Sequence, residues 1–284
     1  MGIKKLIAKQ PFKKQVAIIT GGSKGIGKAT TKLFIQLGGS VCIIARGMDA
    51  LKEAAAEIKS VVTNDQQFVE IISCDTADLT KLKPLLTEFI EKHGVPDYLI
   101  NDVGFAYPQY IEKLTLEDFQ RSMNVNYYGQ LVPTMILLPY FMEAKRGHII
   151  HVSSFLGIMG IMGYAAYCPT KFALVGLAEV MRNELKPYNI QVSVLYPVDT
   201  QTPGFDEENK LKPKECEIMS ETGGILTVEE VAETFIKGIL KKKFQILVGK
   251  GGLFSALKRL FPGLVYWFID SDYEKARKKI GKEL

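Results

Sequence analysis

Short runs of apolar, β-branched residues alternate along this chain with longer stretches in which apolar residues recur every three or four positions. The short runs are Gln15–Thr20, Ser40–Ala45, Phe68–Ser73, Asp97–Asn101, His148–Val152, Ile190–Leu195 and Phe244–Val248. Several are apolar almost throughout (VAIIT, VCIIA, QVSVL), as strands buried on both faces are. Helical spacing covers Gly25–Leu37, Ala50–Lys59, Thr80–His93, Leu116–Glu143, Tyr164–Lys186 and Val228–Leu240. Strand and helix in alternation predict βαβ units. The expected fold is α/β, a doubly wound parallel sheet of about seven strands with helices on both faces.

Three segments break this rhythm. Residues 1–14 form a basic extension ahead of a domain spanning 15–252. Thr200–Thr227 is polar, carries Pro203, Gly204, Pro213, Gly223 and Gly224, and follows a strand end. Insertions there tend to cover a ligand, so this segment is expected to act as a substrate-side lid. Residues 253–284 form a tail in which Leu253-Phe254, Leu257, Leu260-Phe261, Leu264-Val265 and Trp267-Phe268 recur at helical steps, interrupted at Pro262-Gly263. The apolar run Phe261–Ile269 is far short of the roughly 20 residues that span a bilayer. With Lys275, Arg277, Lys278 and Lys279 close by, the stripe reads as an interfacial membrane contact through 253–280. Docking on the chain's own domain or at a subunit interface is the competing reading.

Composition narrows the function classes. Of 284 residues, 36 are Lys or Arg and 31 Asp or Glu, a net charge of +5 that is too small and too dispersed for a nucleic-acid binder. It suits an anionic cofactor or a membrane surface equally. Cys42, Cys74, Cys168 and Cys216 form no Cys-x-x-Cys, so neither a metal site nor a disulfide framework is expected, and the usage fits a reducing compartment. His93, His148 and His151 do not make a spaced ligand set. The N-terminus has charge but no apolar signal core, and Leu6 stands where a myristoylation site needs Ser or Thr.

Chemistry enters at Thr20-Gly21-Gly22-Ser23-Lys24-Gly25-Ile26-Gly27, which follows the first strand and opens the first helix of the alternating series. Glycines there let backbone N–H groups and the positive helix end approach a pyrophosphate. An NAD site usually offers an acid at the end of the second strand, but this one ends Ile44-Ala45-Arg46. Arg46, helped by Lys24, suits the 2′-phosphate of NADPH. The alternative is two solvated surface cations. Further on, Tyr167 and Lys171 stand four apart, on one helix face, with Ser154 thirteen positions before the tyrosine. A cation beside a phenol is expected to lower its pKa and make it a proton donor to a carbonyl oxygen.

These residues together resemble the short-chain dehydrogenase/reductase family. Thr20, Gly21, Gly25 and Gly27 match its glycine loop, and Asn101-Asp102-Val103-Gly104 its Asn-Asn-Ala-Gly segment, with Asp and Val in place of Asn and Ala. Asn126, Ser154, Tyr167 and Lys171 match its catalytic tetrad. The resemblance implies a Rossmann-type sheet, NADPH as cofactor, and contacts to it from Gly21, Ser23, Lys24, Gly25, Ile26, Gly27, Arg46, Asp75, Asn101, Gly104, Tyr167, Lys171, Pro197 and Thr200. It assigns Tyr167 as proton donor, Lys171 to the phenol and the nicotinamide ribose, Ser154 to the carbonyl oxygen, and Asn126 to a water that resupplies the proton. Ser153 competes with Ser154, and Asn126 could instead satisfy helix backbone. Pro169 fits only if it falls in the first turn of its helix.

A narrower likeness runs through Gly176–Glu179, Lys186–Asn189, Tyr196–Phe205, Glu207–Asn209 and Ser220-Glu221-Thr222. It is similar to the branch of the family that reduces the 3-keto group of long-chain sphingoid bases. That branch implies such a ketone as partner; its eukaryotic members usually carry longer hydrophobic anchors than this tail, so a cytoplasmic protein peripheral on a membrane is expected, the endoplasmic reticulum if eukaryotic. It also implies a homodimer or homotetramer through the helices holding Asn126 and Tyr167. Competing readings are a reductase of another lipophilic ketone (steroid, retinoid or acyl) and a non-catalytic NADPH-binding scaffold.

Overall fold

The structure is a computed structural model that describes residues 2–220 and 224–281. Glu221 and Thr222 of the narrower likeness lie outside the described residues. In chain order the elements begin with α1 (Ile3–Lys9), β1 (Val16–Thr20), α2 (Gly25–Gln36), β2 (Ser40–Ala45), α3 (Met48–Lys59), β3 (Val69–Ser73), α4 (Leu79–His93) and β4 (Tyr98–Asn101). Next come α5 (Leu116–Met123), a π-turn over Asn124–Tyr128, α6 (Gly129–Ala144), β5 (Gly147–Val152), α7 (Cys168–Glu184) and β6 (Ile190–Tyr196). The chain continues through α8 (Pro203–Asn209), α9 (Lys214–Ser220), α10 (Val228–Leu240), β7 (Gln245–Leu247), α11 (Gly251–Leu260) and α12 (Pro262–Lys279).

The seven strands form one sheet in the order β3-β2-β1-β4-β5-β6-β7, and every pairing is parallel. Alternate strand residues face opposite layers. Ile19, Ile43 and Ile100 pack with Phe34, Leu51, Ile58, Val231 and Phe235 from α2, α3 and α10. Ile18, Ile44, Leu99 and Val194 pack with Leu86, Phe89, Leu137, Phe141 and Met181 from α4, α6 and α7. The chain leaves β1 for β2 on one side and returns to β4 on the other. Their diverging carboxyl ends open a crevice where open α/β sheets bind ligands.

Helix boundaries follow local chemistry. Asp78 caps α4 by accepting from the Lys81 N–H at 3.1 Å, and Thr115 with Asp118 forms a capping box on α5. The single helix expected over Leu116–Glu143 is interrupted by the π-turn that carries Asn126. Such turns re-aim one side chain and recur at functional sites. The helix expected from Tyr164 starts instead at Cys168, so Pro169 sits in its first turn, where its missing N–H costs little.

The basic stretch, described from residue 2 to 14, is bound into the domain. Leu6 is buried, and the fully buried Phe12 ring stacks on Phe34 with centroids 4.2 Å apart while Tyr98 meets it edge-on at 5.4 Å. At the other end, α12 packs against α9 and α11, with Val265 and Ala276 as its buried residues. Leu253, Phe254, Leu260, Phe261, Leu264, Tyr266, Trp267 and Phe268 remain exposed. Among the described residues no helix is long and apolar enough to cross a membrane. Emptying the Phe12 site removes two aromatic contacts, so Phe12→Ala is expected to lower unfolding free energy by about 3–5 kcal/mol in urea titration. A loss under ~1 kcal/mol would show that the N-terminal segment is dispensable to the core.

Candidate active site

The glycine loop leaves β1 at its carboxyl end and turns at Gly21, whose φ of +72° favours glycine. A Cβ on Gly27 would stand 2.5 Å from the Gly21 carbonyl oxygen, so only glycine lets α2 start this close to the strand. Lys24, the N-cap of α2, makes no side-chain cap, which leaves the N–H groups of Gly25 and Ile26 available to a ligand. Ser23 and Ile26 lie in the same loop. This cradle fits the pyrophosphate of a dinucleotide. Arg46 follows β2, is exposed, and has no ion pair among the described residues. Asp75 follows β3, and its Oδ1 accepts from the Ala77 N–H at 3.0 Å. Asn101 is fully buried at the end of β4; its Nδ2 donates to Thr134 Oγ1 at 3.0 Å, and its Oδ1 has no partner. The Pro197 carbonyl accepts from the Phe155 N–H at 2.8 Å, and Thr200 is buried with its hydroxyl donating to the Val198 carbonyl.

The tetrad residues gather on the same sheet edge. Ser154 follows β5, and its Oγ hydrogen-bonds the Tyr167 phenol and accepts from the Leu156 N–H at 3.1 Å. Ser153, the competing serine, points the other way and donates to the Lys171 carbonyl at 2.9 Å. Lys171 Nζ lies 5.5 Å from the Tyr167 ring centroid and donates to the Val152 carbonyl at 3.0 Å. Asn126 is fully buried by the π-turn. Its Nδ2 donates to the Phe105 carbonyl at 3.0 Å and to Thr170 Oγ1 at 3.1 Å, while Oδ1 accepts from the Phe105 N–H at 2.8 Å. Asn126 Oδ1 and Lys171 Nζ each lie 3.2 Å from where a Cβ on Gly104 would sit, so the glycine keeps the space between them open.

One electrostatic expectation is corrected. Tyr167 does not have a lowered pKa. Burial pushes it well above its ordinary value, the charge of Glu208 pushes it further, and the Ser154 hydrogen bond pulls it down only in part. The ammonium of Lys171 acts elsewhere. It faces Asp102, a carboxylate buried where the family pattern has Asn and bonded to the Gly27 N–H. Burial raises Asp102 to about 7 and lowers Lys171 to about 8, and each charge partly offsets the shift of the other. Sequence reasoning noted Asp102 only as a departure; its pairing with Lys171 is a property of the assembled crevice. It also missed Thr202, whose methyl lies 3.2 Å from where a Cβ on Gly25 would sit.

A glycine-lined helix end with a phenol, a hydroxyl and an ammonium on one sheet edge defines a nicotinamide-dependent oxidoreductase acting on a ketone. Comparison with known proteins places it more narrowly. Residues 15–212 match the sequence profile of the short chain dehydrogenases, and the chain belongs to that family. A 3-dehydrosphinganine reductase from Danio rerio is 40% identical over 259 residues, covering 90% of this chain and 78% of that protein. A 3-ketodihydrosphingosine reductase from Bos taurus is 38% identical, covering 83% and 71%. The apo crystal structure of LigD from Sphingobium sp. strain SYK-6 superposes with a TM-score of 0.74 at 27% identity, covering 89% of this chain and 97% of that one.

The Asp102–Lys171 pair generates a pH prediction. Asp102 raises the Lys171 pKa, so removing its charge lowers it further. The alkaline fall in kcat/KM for ketone reduction at saturating cofactor is expected near pH 8 in the parent chain, and at lower pH in Asp102→Asn. An unchanged or upward-moved limb contradicts the pairing.

Proposed function

We propose that this protein reduces the 3-keto group of a long-chain sphingoid base with NADPH. The observation that carries the chemistry is the Tyr167 phenol, hydrogen-bonded to Ser154 and 5.5 Å from the Lys171 ammonium beside the glycine cradle. The substrate class is supported by the relatives at 38–40% identity, whose names specify that ketone. NADPH is supported by Arg46, exposed at the end of β2 with no acid there, and by Lys24 in the loop.

The bound dinucleotide supplies the hydride. The residues of the chain manage the oxygen. Burial keeps the Tyr167 phenol protonated at neutral pH, so it holds a proton ready for the carbonyl oxygen as negative charge develops there. Ser154 Oγ, already bonded to that phenol, is placed to orient the same oxygen. Lys171 carries its positive charge close to the phenolate that proton transfer leaves behind, stabilising it after the transfer rather than before. Asn126 clamps Phe105 to Thr170 and so fixes Lys171 one residue on. From there it can also serve proton resupply. The cofactor contacts follow the cradle: Gly21, Ser23, Lys24, Gly25, Ile26 and Gly27 to the phosphates, Arg46 to the 2′-phosphate. Asp75, Asn101, Gly104, Pro197 and Thr200 line the remaining length. The described part of 200–227 serves as a lid, with Thr202 at the start of α8 set against Gly25 of the loop.

The test is NADPH oxidation with 3-ketosphinganine. Tyr167→Phe is expected to lose at least ~1000-fold in kcat while still binding NADPH. Arg46→Ala is expected to shrink the preference for NADPH over NADH about 10-fold or more. Turnover by the phenylalanine variant near the parent rate, or a parent preference for NADH, overturns the respective assignment.

The exposed apolar face of α11 and α12 lies beside cationic Lys250, Lys258 and Arg259 and packs, through α9, onto the lid. A membrane surface is the occupant that suits apolar rings with cations, and it also holds a long-chain substrate. Each large ring is worth about 1.5–3 kcal/mol when buried. Replacing Trp267 and Phe268 by Ser is therefore expected to weaken sedimentation with anionic phosphatidylserine vesicles at least ~10-fold, with NADPH binding unchanged. Equal sedimentation of parent and double variant argues against this surface.

A further inference from the structure

Two adjacent glutamates on α8 behave oppositely. Glu207 leaves 72% of its side chain in water, whereas Glu208 turns inward and leaves 16%. Thr202 fixes the helix that carries them. Its hydroxyl caps α8 by accepting from the Phe205 N–H at 3.0 Å, and its methyl rests against Gly25 of the cofactor loop. The inward carboxylate is bound at Oε1, where the Tyr164 hydroxyl donates to it at 2.5 Å. The Tyr164 ring stands 6.0 Å from the ring of Tyr167. Lys212, only 1% exposed, brings its Nζ to 3.5 Å from the same oxygen, too long for a strong hydrogen bond, while lying over the Phe205 ring. The described bonds of Glu208 thus fall on Oε1, and Oε2 can take a further donor.

This placement is unfavourable for a neutral ketone. A carboxylate one ring away from the proton donor opposes the negative charge that develops on the carbonyl oxygen and then on the phenol. Asp199, also largely buried, adds charge of the same sign, and Lys212 answers both acids. Tyr164, Tyr167 and Cys216 are the other titratable groups facing this carboxylate, and none is cationic. The lid side of the site therefore carries an excess of negative charge next to the reacting oxygen. A substrate that brings its own positive charge would offset it.

We propose that Glu208 receives the ammonium group on the carbon next to the ketone, and so selects an α-amino ketone over a plain one. The proposal rests on the 3-keto sphingoid base reading, in which the amine at C2 adjoins the carbonyl at C3. Amine and carbonyl oxygen on neighbouring carbons match a carboxylate and a phenol that share one wall of the crevice. Tyr164 acts as a positioning residue, holding Oε1 so that Oε2 faces the amine. No bond forms or breaks at Glu208; it contributes an ion pair in a partly dry site, where such a pair is worth more than in water.

The experiment compares a water-soluble short-chain 2-amino-1-hydroxy-3-ketone with its N-acetyl and des-amino analogues, using the full chain and NADPH. The parent protein is expected to favour the free amine by at least ~10-fold in kcat/KM, mostly through KM. Glu208→Gln is expected to lose that preference, falling about 10-fold or more on the amine while the des-amino ketone is reduced as well or better. Glu208→Asp recovers part of the preference. A structural role would instead lower all three ketones together, and that result overturns the proposal. So does a parent protein indifferent to the amine, which needs no variant to observe, or a Gln variant that keeps the preference. If the parent reduces none of the three but does reduce another class of ketone, the sphingoid reading itself falls and takes this proposal with it. Reduction of all three at similar rates sinks the Glu208 role alone.

Discussion

The ammonium of Lys171 is buried to 3% exposure, and the rest of the site is arranged around keeping it there. A charge withdrawn from water must be met by fixed partners or it discharges. Here the partners come from two strand ends and the start of a helix. The Val152 carbonyl closes β5, the Asp102 carboxylate follows β4, and the phenol of Tyr167 opens α7. Asp102 is in turn tied to the N-terminus of α2 through Gly27. One cation therefore links the cofactor loop, the central strands and the helix carrying the proton donor. The position of that helix depends on a steric detail, the start at Cys168 that makes Pro169 harmless.

The charges on the two sides of the phenol are of opposite sign and do different work. On the sheet side, Lys171 and Asp102 form an opposed pair, and neither is a leading cause of the Tyr167 shift. On the lid side, Glu208 and Asp199 outnumber Lys212. The phenol is left protonated and surrounded by more acid than base. In the proposed reaction, a donor in that state transfers late, to an oxygen already carrying charge, and benefits from a cation on the substrate. The tail is joined to this side of the site through α9, against which α12 packs.

The fold was legible because buried parallel strands leave an unmistakable record. Runs such as Val16–Thr20 and Ser40–Ala45 are apolar on both faces, and their ends are marked by glycines and cations. The glycine loop, Ser154, Tyr167 and Lys171 could be found by spacing, since each lies within a few residues of a strand or helix end. What escaped was whatever depended on elements far apart in the chain. The π-turn that aims Asn126 has no period of its own, so the pattern over Leu116–Glu143 read as an unbroken helix. The choice between Ser153 and Ser154 turned on which one the α7 carbonyl captures. The N-terminal stretch read only as a basic extension because Phe12 finds its ring partners at Phe34 and Tyr98, far along the chain.

The sequence alone determined the order of strands and helices, the cradle for a dinucleotide, and the residue types able to move a proton to a carbonyl. Those features are local, and a few neighbouring residues suffice to state them. Tertiary structure decided the charges that act on the phenol, because a pKa is set by burial and by groups brought close from distant segments. Position 102 reads as a departure from a pattern until it is seen facing Lys171, and Glu208 reads as a surface acid until α8 turns it inward over Tyr164. Electrostatic energy depends on distance through a partly dry interior, and only the folded chain fixes those distances.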